Sequence, residues 1–162
     1  MKLLRHLPLE EKWNVYTHFV GAVLSFFGTL WLVNHLETES VQVYFGTLLY
    51  GSSLVVLFLA STIYHSVQKP QQAFWQKVDH IAIYGLIAGT YTPFLLLAVG
   101  GNIGLYGAII VWAIGIGGII FKLTLGHKYP KIGVATYAIM GWFALFLIYP
   151  IYQSLSGPGF LL

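Results

Sequence analysis

The amino-acid sequence predicts an all-α fold, a bundle of helices that crosses a membrane several times. Of its 162 residues, 57% are hydrophobic and only 8% are charged, whereas soluble domains carry about 25% charged residues. Apolar runs near the roughly 20 residues that a helix needs to cross a bilayer recur along the chain. These runs lack the alternation of barrel strands. Because backbone groups inside a bilayer must pair internally, the spans are predicted to be α-helices.

Five apolar runs define a single integral membrane domain over residues 1–162, because no connection between them has room for a soluble domain. The predicted spans run from about Tyr16 to Asn34, Gln42 to Tyr64, Asp79 to Val99, Ile103 to Phe121 and Ile132 to Gln153.

Polar connections separate these runs and justify each boundary in turn. The first span ends before a connection with two glutamates, and the second ends before a connection that contains Lys69 and Pro70. The third ends before a pair of glycines and Asn102, and the fourth ends before a basic connection that contains Pro130. Trp and Tyr residues lie near many span ends, as interfacial aromatic rings prefer.

The basic residues orient the predicted bundle. All eight Lys and Arg residues precede the first span or lie in the second and fourth connections, so they fall on one side. The positive-inside rule places that side, and with it the N-terminus, on the cytoplasmic side of the membrane. The basic residues are dispersed despite a pI of about 9.1. We therefore expect membrane lipids as partners and no nucleic acid. The sequence leaves open whether the protein forms a homo-oligomer.

This topology brings three polar clusters to one membrane depth. Residues 11–18 begin the first span, Ser61 and His65 end the second, and Asp79 and His80 begin the third. Glu11, Asn14 and His18 are spaced three and four residues apart and therefore share one helical face. Ionisable groups at membrane depth usually face a bundle interior or a water-filled cavity.

Two interpretations of these clusters follow from the residue types. Imidazole and carboxylate are ligands that suit zinc, and the chain has no cysteine to contribute a thiolate. Spacing alone favours the second interpretation, in which interfacial side chains reach water and Asp79 caps a helix N-terminus. Glycines such as Gly89, Gly117 and Gly118, together with Gly115 and Gly141, are predicted to allow close helix packing, with a hinge near Pro93 as the alternative.

At these residues the sequence resembles the hemolysin III family, the bacterial branch of the progestin and adipoQ receptor superfamily. The matching segments are Glu11-x-x-Asn14-x-x-Thr17-His18, Ser61-x-x-Tyr64-His65, the run from Asp79 to Pro93, and Tyr137-x-x-Met140-Gly141-Trp142.

The resemblance implies a fold of seven helices and a zinc ion near the cytoplasmic face. It makes His65 the zinc ligand of the second helix and Asp79 the catalytic carboxylate that contacts the metal-bound water. The remaining matched residues are implied to support that site or the fold: Glu11, Asn14, Thr17, His18, Ser61 and His80. In this family two further histidines of the seventh helix complete the zinc site.

The sequence departs from the family pattern at its C-terminal end. The sixth helix and the seventh helix with its two histidines have no counterpart before Leu162, so we expect the chain to be incomplete relative to the family. His127, which lies in a predicted loop, does not match the missing motif. The five predicted spans thus correspond to five of the seven transmembrane helices of the family fold. The zinc site is expected to be incomplete in this chain.

The function that the resemblance implies is zinc-dependent hydrolysis of a lipid amide or ester bond. In that reaction zinc would activate water and polarise the substrate carbonyl, and Asp79 would act as base or orienting group. Whether the protein is an enzyme stays open at this stage. The alternative is a non-enzymatic membrane protein, either a pore-forming cytolysin or a regulator of membrane lipid homeostasis.

Overall fold

The structure, a computed structural model, describes residue 4 and residues 7–36, 40–126 and 128–155. His127 and the C-terminal residues 156–162, on which the expectation of an incomplete chain rests, lie outside the described residues. The described residues form helices and contain no strand. The helices are α1 (Leu9–Asn34), α2 (Val41–Ser66), α3 (Gln71–Pro93), α4 (Gly101–Thr124), α5 (Pro130–Trp142) and α6 (Ala144–Leu155).

Five helical segments of the described chain are long and apolar enough to cross a membrane, so the predicted class of helical membrane bundle is confirmed. Large apolar side chains on these segments are exposed, such as Phe27 at 62% and Ile109 at 55%. A soluble protein would bury such side chains. In a membrane this surface faces the lipid chains.

The first four helices are longer than their predicted spans. Helix α1 begins at Leu9 instead of Tyr16, and α3 begins at Gln71 instead of Asp79. Hydropathy identifies only the part of a helix that lies in the hydrocarbon. The 26 residues of α1 extend about 39 Å at 1.5 Å per residue, whereas the hydrocarbon layer is about 30 Å thick. The additional turns carry polar residues to the membrane surface.

The helical geometry changes directly after α3. Residues Phe94–Val99 continue α3 as a π-helix, which ends at Gly100 with φ 66°. Pro93 has no backbone N–H to donate, so the regular hydrogen-bond pattern is interrupted there. Its Cα lies 3.4 Å from the position that a Cβ on Gly46 of α2 would take. This contact supports close packing near Pro93 over a hinge.

The fifth predicted span consists of two helices in the structure. The sequence predicts one continuous run from Ile132 to Gln153, but the chain turns at Phe143, between α5 and α6. The Tyr91 hydroxyl of α3 donates to the carbonyl oxygens of Met140 at 3.1 Å and Gly141 at 2.7 Å. These carbonyl groups lie where the regular helix ends, so a tertiary contact stabilises the break.

The buried core lies between α3, α4 and the last two helices. Tyr84, Leu95 and Val111 are each 1% exposed. The Tyr84 hydroxyl forms a 2.6 Å hydrogen bond with Thr136 Oγ1 on α5. Helices α3, α4 and α5 therefore form one packed unit.

Small residues allow neighbouring helices to approach closely at some of the predicted positions. A Cβ on Gly118 would lie 2.2 Å from the Tyr84 ring, and one on Gly89 would lie 2.4 Å from Ser53 Oγ. Gly115 faces Met140 and Ala88. At Gly117 and Gly141 the described helices do not require a glycine, because a Cβ there would meet no atom of the described chain within 4 Å. Gly141 contacts α3 through its backbone carbonyl instead.

Candidate functional site

His65, in the last turn of α2, lies against the first turns of α1. Consecutive spans run antiparallel, so the beginning of α1 meets the end of α2. Two close contacts fix the distance between these helices, since a Cβ on Gly21 would lie 2.8 Å from the Phe58 ring and one on Gly51 would lie 2.1 Å from Thr29 Oγ1. The polar first turn of α1 thereby comes within hydrogen-bond distance of His65.

Glu11 is the polar partner of His65. Its Oε2 lies 2.6 Å from His65 Nδ1, and the side chains are 33% and 18% exposed respectively. Asn14 Nδ2 lies 3.4 Å from the same carboxylate oxygen and 3.5 Å from His65 Nδ1. The three residues form a partly buried polar cluster that joins α1 to α2.

The short contact assigns the proton on His65. A carboxylate only accepts hydrogen bonds, so Nδ1 carries the hydrogen and donates it to Glu11. In the neutral ring, Nε2 then keeps its lone pair. No hydrogen bond within the described part of the chain uses Nε2. His65 therefore presents a nitrogen that can coordinate a metal or accept a proton.

His18, on α1, stacks on His65. Its ring lies nearly parallel to that of His65, at 5.5 Å between centroids and 6° between planes. The Phe58 ring lies 5.9 Å from it. The buried Nδ1 atom of His18 has no hydrogen-bond partner among the described residues. An unpaired buried nitrogen is unfavourable in a protein, so this position favours a polar ligand or water.

Asp79, on α3, lies near this cluster without joining it directly. It is half-buried and close enough to His18, His80 and Tyr137 to interact with each electrostatically. No hydrogen bond or ion pair links Asp79 to His65 over the described ranges. The Asp79 carboxylate thus contributes negative charge beside two imidazole rings.

The other predicted site residues have different surroundings. Thr17 is exposed, and its hydroxyl donates to the backbone carbonyls of Trp13 and Asn14 on its own helix. Ser61 is buried, with 5% exposure, one turn before His65. His80 is half-buried and lies near enough to Lys122 of α4 for an electrostatic interaction. The structure brings Glu11, Asn14, His18 and His65 together but leaves Thr17 outside.

The cluster supplies only part of a zinc site. A zinc-ligating histidine usually donates its second ring N–H to a carboxylate, as His65 does to Glu11. Zinc sites, however, have three or four protein ligands. Within the described ranges no group of three or more His, Cys, Asp or Glu side chains is arranged to hold a metal ion. These residues fit one ligand and its carboxylate partner, and they do not complete the site.

Two neighbours of the cluster are aromatic residues that the sequence did not single out as site residues. Phe58 packs against His18, and the Tyr64 ring lies 4.6 Å from the His65 ring. Phe58 precedes His65 by two helical turns, so helical periodicity places it on the same face. That spacing is the only sequence signal for Phe58, and it is a weak one because aromatic residues are common throughout the chain.

The polar cluster lies at the basic end of the bundle. The end of α2 meets the beginning of α1, and Lys122 at the end of α4 lies near His80 of α3 and near Gly133 of α5. The described lysines are all found at the helix ends and connections of this side: Lys12, Lys69, Lys77, Lys122, Lys128 and Lys131. The cluster therefore lies close to the positively charged end of the helix bundle.

Comparisons with known proteins identify the family of the chain. The family described as Haemolysin-III related matches residues 7–161. "Hemolysin-3" of Bacillus cereus is 42% identical over 155 residues, which cover 93% of this chain and 70% of the relative. "Hemolysin-3 homolog" of Bacillus subtilis (strain 168) is 37% identical over 156 residues, which cover 93% and 72% respectively.

A more distant similarity extends to animals. "Monocyte to macrophage differentiation factor" of Homo sapiens is 27% identical over 139 residues, which cover 82% of this chain and 58% of the relative. The match to the family extends over nearly the whole chain, including the cluster around His65. The chain is a multi-pass membrane protein that belongs to the haemolysin-III related family.

Proposed function

We propose that the protein is a zinc-dependent membrane hydrolase that cleaves an amide or ester bond of a lipid. The observation that carries this proposal is the 2.6 Å contact between His65 Nδ1 and Glu11 Oε2. This contact orients the imidazole ring and leaves Nε2 available to coordinate a metal. Because the described residues supply only one such ligand, the proposal requires further ligands from outside them.

Each residue of the cluster has a distinct part in this proposal. Glu11 holds His65 in one tautomer and one orientation, and Asn14 steadies the Glu11 carboxylate. Asp79 is the group proposed to accept a proton from the attacking water. When bound, zinc supplies Lewis-acid activation of water and of the substrate carbonyl. The lipid substrate reaches the cluster from the surrounding bilayer, at the depth where its head group joins its acyl chains.

We place the protein in the bacterial plasma membrane with its N-terminus in the cytoplasm. The lysines at one end of the bundle support this orientation under the positive-inside rule. The proposed site would then process lipids of the inner leaflet.

Zinc content and lipid turnover test the proposal on the protein purified with its full natural sequence. We expect stoichiometric zinc by elemental analysis, its loss in His65→Ala, and an affinity about tenfold lower in Glu11→Gln. Glu10→Gln is the matched control, since Glu10 is exposed on the same turn of α1. Zinc that stays stoichiometric in His65→Ala would contradict the ligand assignment.

A second candidate function is pore formation, which the name of the Bacillus cereus relative, "Hemolysin-3", favours. Liposomes that contain both an encapsulated dye and a panel of lipid amides and esters separate the two functions. Lipid cleavage without dye release supports the hydrolase, and dye release without cleavage supports the pore.

We expect cleavage. In Asp79→Asn its rate should fall by at least about a hundredfold, as for loss of a general base.

A further inference from the structure

A cavity that several polar side chains line lies outside the His65 cluster, where α2 and α3 leave the membrane. It has a volume of about 500 Å3, within the range of about 300 to 1,000 Å3 that is typical of small-ligand sites. Its lining comes from the end of α2, the connection and the first turns of α3: Tyr64, Lys69, Pro70, Gln72, Ala73 and Gln76. The proposed zinc chemistry uses none of these side chains.

Each polar side chain that lines this cavity can donate a hydrogen bond. Gln76 Nε2 donates to the Tyr64 hydroxyl oxygen at 3.1 Å. The phenol hydrogen is therefore directed away from Gln76 and can be donated to a ligand. Gln72 adds an amide group, and the exposed Lys69 adds an ammonium group with three hydrogens to donate.

Among the lining residues of the cavity, only Lys69 is charged. Residues 66–78, which include the connection and the first turns of α3, add Lys77 and contain no carboxylate, and the next one along the chain is Asp79. A ligand that is anionic and accepts several hydrogen bonds matches this environment, and a phosphate group has both properties. Basic pockets at the ends of transmembrane helices are suited to phosphate-bearing lipid head groups.

We propose that this cavity binds the phosphate of an anionic phospholipid. The Lys69 ammonium neutralises the phosphate, and the amide of Gln72 and the hydroxyl of Tyr64 donate to its oxygens. Pro70 and Ala73 form an apolar wall for the glycerol carbons. The position of the cavity at the membrane surface favours a lipid over free phosphate, because a lipid's acyl chains can remain in the bilayer beside α2 and α3.

Binding is measured on the purified protein in a neutral detergent by titrating phosphatidylglycerol, phosphatidylcholine or inorganic phosphate and counting retained molecules by native mass spectrometry. We expect one tightly retained phosphatidylglycerol and no comparable retention of phosphatidylcholine. Lys69→Gln should weaken retention about fivefold, the effect of one lysine near an anionic membrane surface. Lys69→Arg should preserve it.

Lys128→Gln is the matched control, because Lys128 is exposed at the same end of the bundle but does not line the cavity. Equal losses in Lys69→Gln and Lys128→Gln would show general charge attraction and overturn the assignment. Retention of inorganic phosphate that displaces the lipid would also overturn it, in favour of a soluble phosphate ligand. The readout involves neither zinc nor hydrolysis, so its result is separate from that of the proposed function.

Discussion

Glu11 and His65 are 54 residues apart in the sequence, yet they form the shortest polar contact between α1 and α2. The spacing of Glu11, Asn14 and His18 predicts their common helical face, because that face depends only on the helical repeat. The stacking of His18 on His65 is not predictable in this way. It depends on side-chain rotamers and on the helix separation that Gly21 and Gly51 permit.

The strength of the Glu11–His65 contact can be measured by substitution. Glu11→Gln replaces the carboxylate by a neutral acceptor and should lower the free energy of unfolding by about 1 kcal/mol, since the pair is only partly buried. Thermal unfolding in detergent, followed by circular dichroism, gives the difference from the parent protein. Glu10→Gln should leave the midpoint unchanged. Equal shifts in the two variants would mean that the contact contributes nothing to stability.

At the scale of the helices, sequence patterns predict which segments cross the membrane better than where each helix breaks. Long apolar runs require helices in a bilayer, and the five segments follow from that requirement. The turn at Phe143 has no local signal of comparable strength, because Gly141 is one of many glycines in the chain. The break depends on the Tyr91 hydroxyl of another helix, and no window of consecutive residues contains that information.

Two adjacent glycines on α4 test how closely α3 and α4 pack. In Gly118→Ala the new Cβ would lie 2.2 Å from the buried Tyr84 ring, so the ring or a helix must move. Overpacking of this kind costs about 1–3 kcal/mol of stability. Gly117→Ala adds the same methyl group with no described atom within 4 Å, and helix propensity favours alanine. We expect a lower unfolding midpoint for Gly118→Ala alone; equal midpoints would exclude the close contact.

The hydroxyl of Tyr91 provides a test of the helix break. Tyr91→Phe keeps the ring but removes both hydrogen bonds to the carbonyls of Met140 and Gly141. The Met140 carbonyl keeps the Phe143 backbone N–H as a donor at 3.3 Å, so the loss falls mainly on the Gly141 carbonyl. A buried polar group that loses its partner is unfavourable by about 1–3 kcal/mol, so α6 should open more often. Hydrogen exchange followed by mass spectrometry should show faster exchange in residues 144–155. Tyr106→Phe is the control, because Tyr106 is 62% exposed, and equal exchange in both variants would contradict this role.

For the whole molecule, the placement of charge predicts the topology, and the absence of cysteine makes that prediction simple to test. Single cysteines at Lys69 and Lys128 should react with a membrane-impermeant maleimide from one side only. A cysteine at Asn102, beyond the end of the π-helix, should react from the opposite side. In intact cells we expect labelling of Asn102→Cys alone, as the positive-inside rule requires. Labelling of Lys69→Cys under those conditions would reverse the orientation.

The topology of the whole bundle is the part of the candidate site that the sequence predicts. Topology placed residues 11–18, His65 and Asp79 at one end of the bundle, and the structure has them there. The contacts that each of these side chains makes depend on how the helices pack in three dimensions. The sequence therefore does not predict that Asp79 lies near His18 without a hydrogen bond to His65. The cavity beside Lys69 was equally inaccessible from sequence, since its lining combines two helices and their connection.

The broken fifth span has a consequence for the assembly of the bundle in the membrane. A segment that entered lipid alone with an interrupted helix would leave the Gly141 carbonyl without its Tyr91 donor in hydrocarbon, where no water can satisfy it. Tyr91 belongs to α3, which is synthesised earlier. N-terminal parts of a chain generally fold first, so the hydroxyl required by the break is already within the bilayer when the fifth segment arrives. The order of the helices along the chain thus matches the order in which their hydrogen-bond partners are needed.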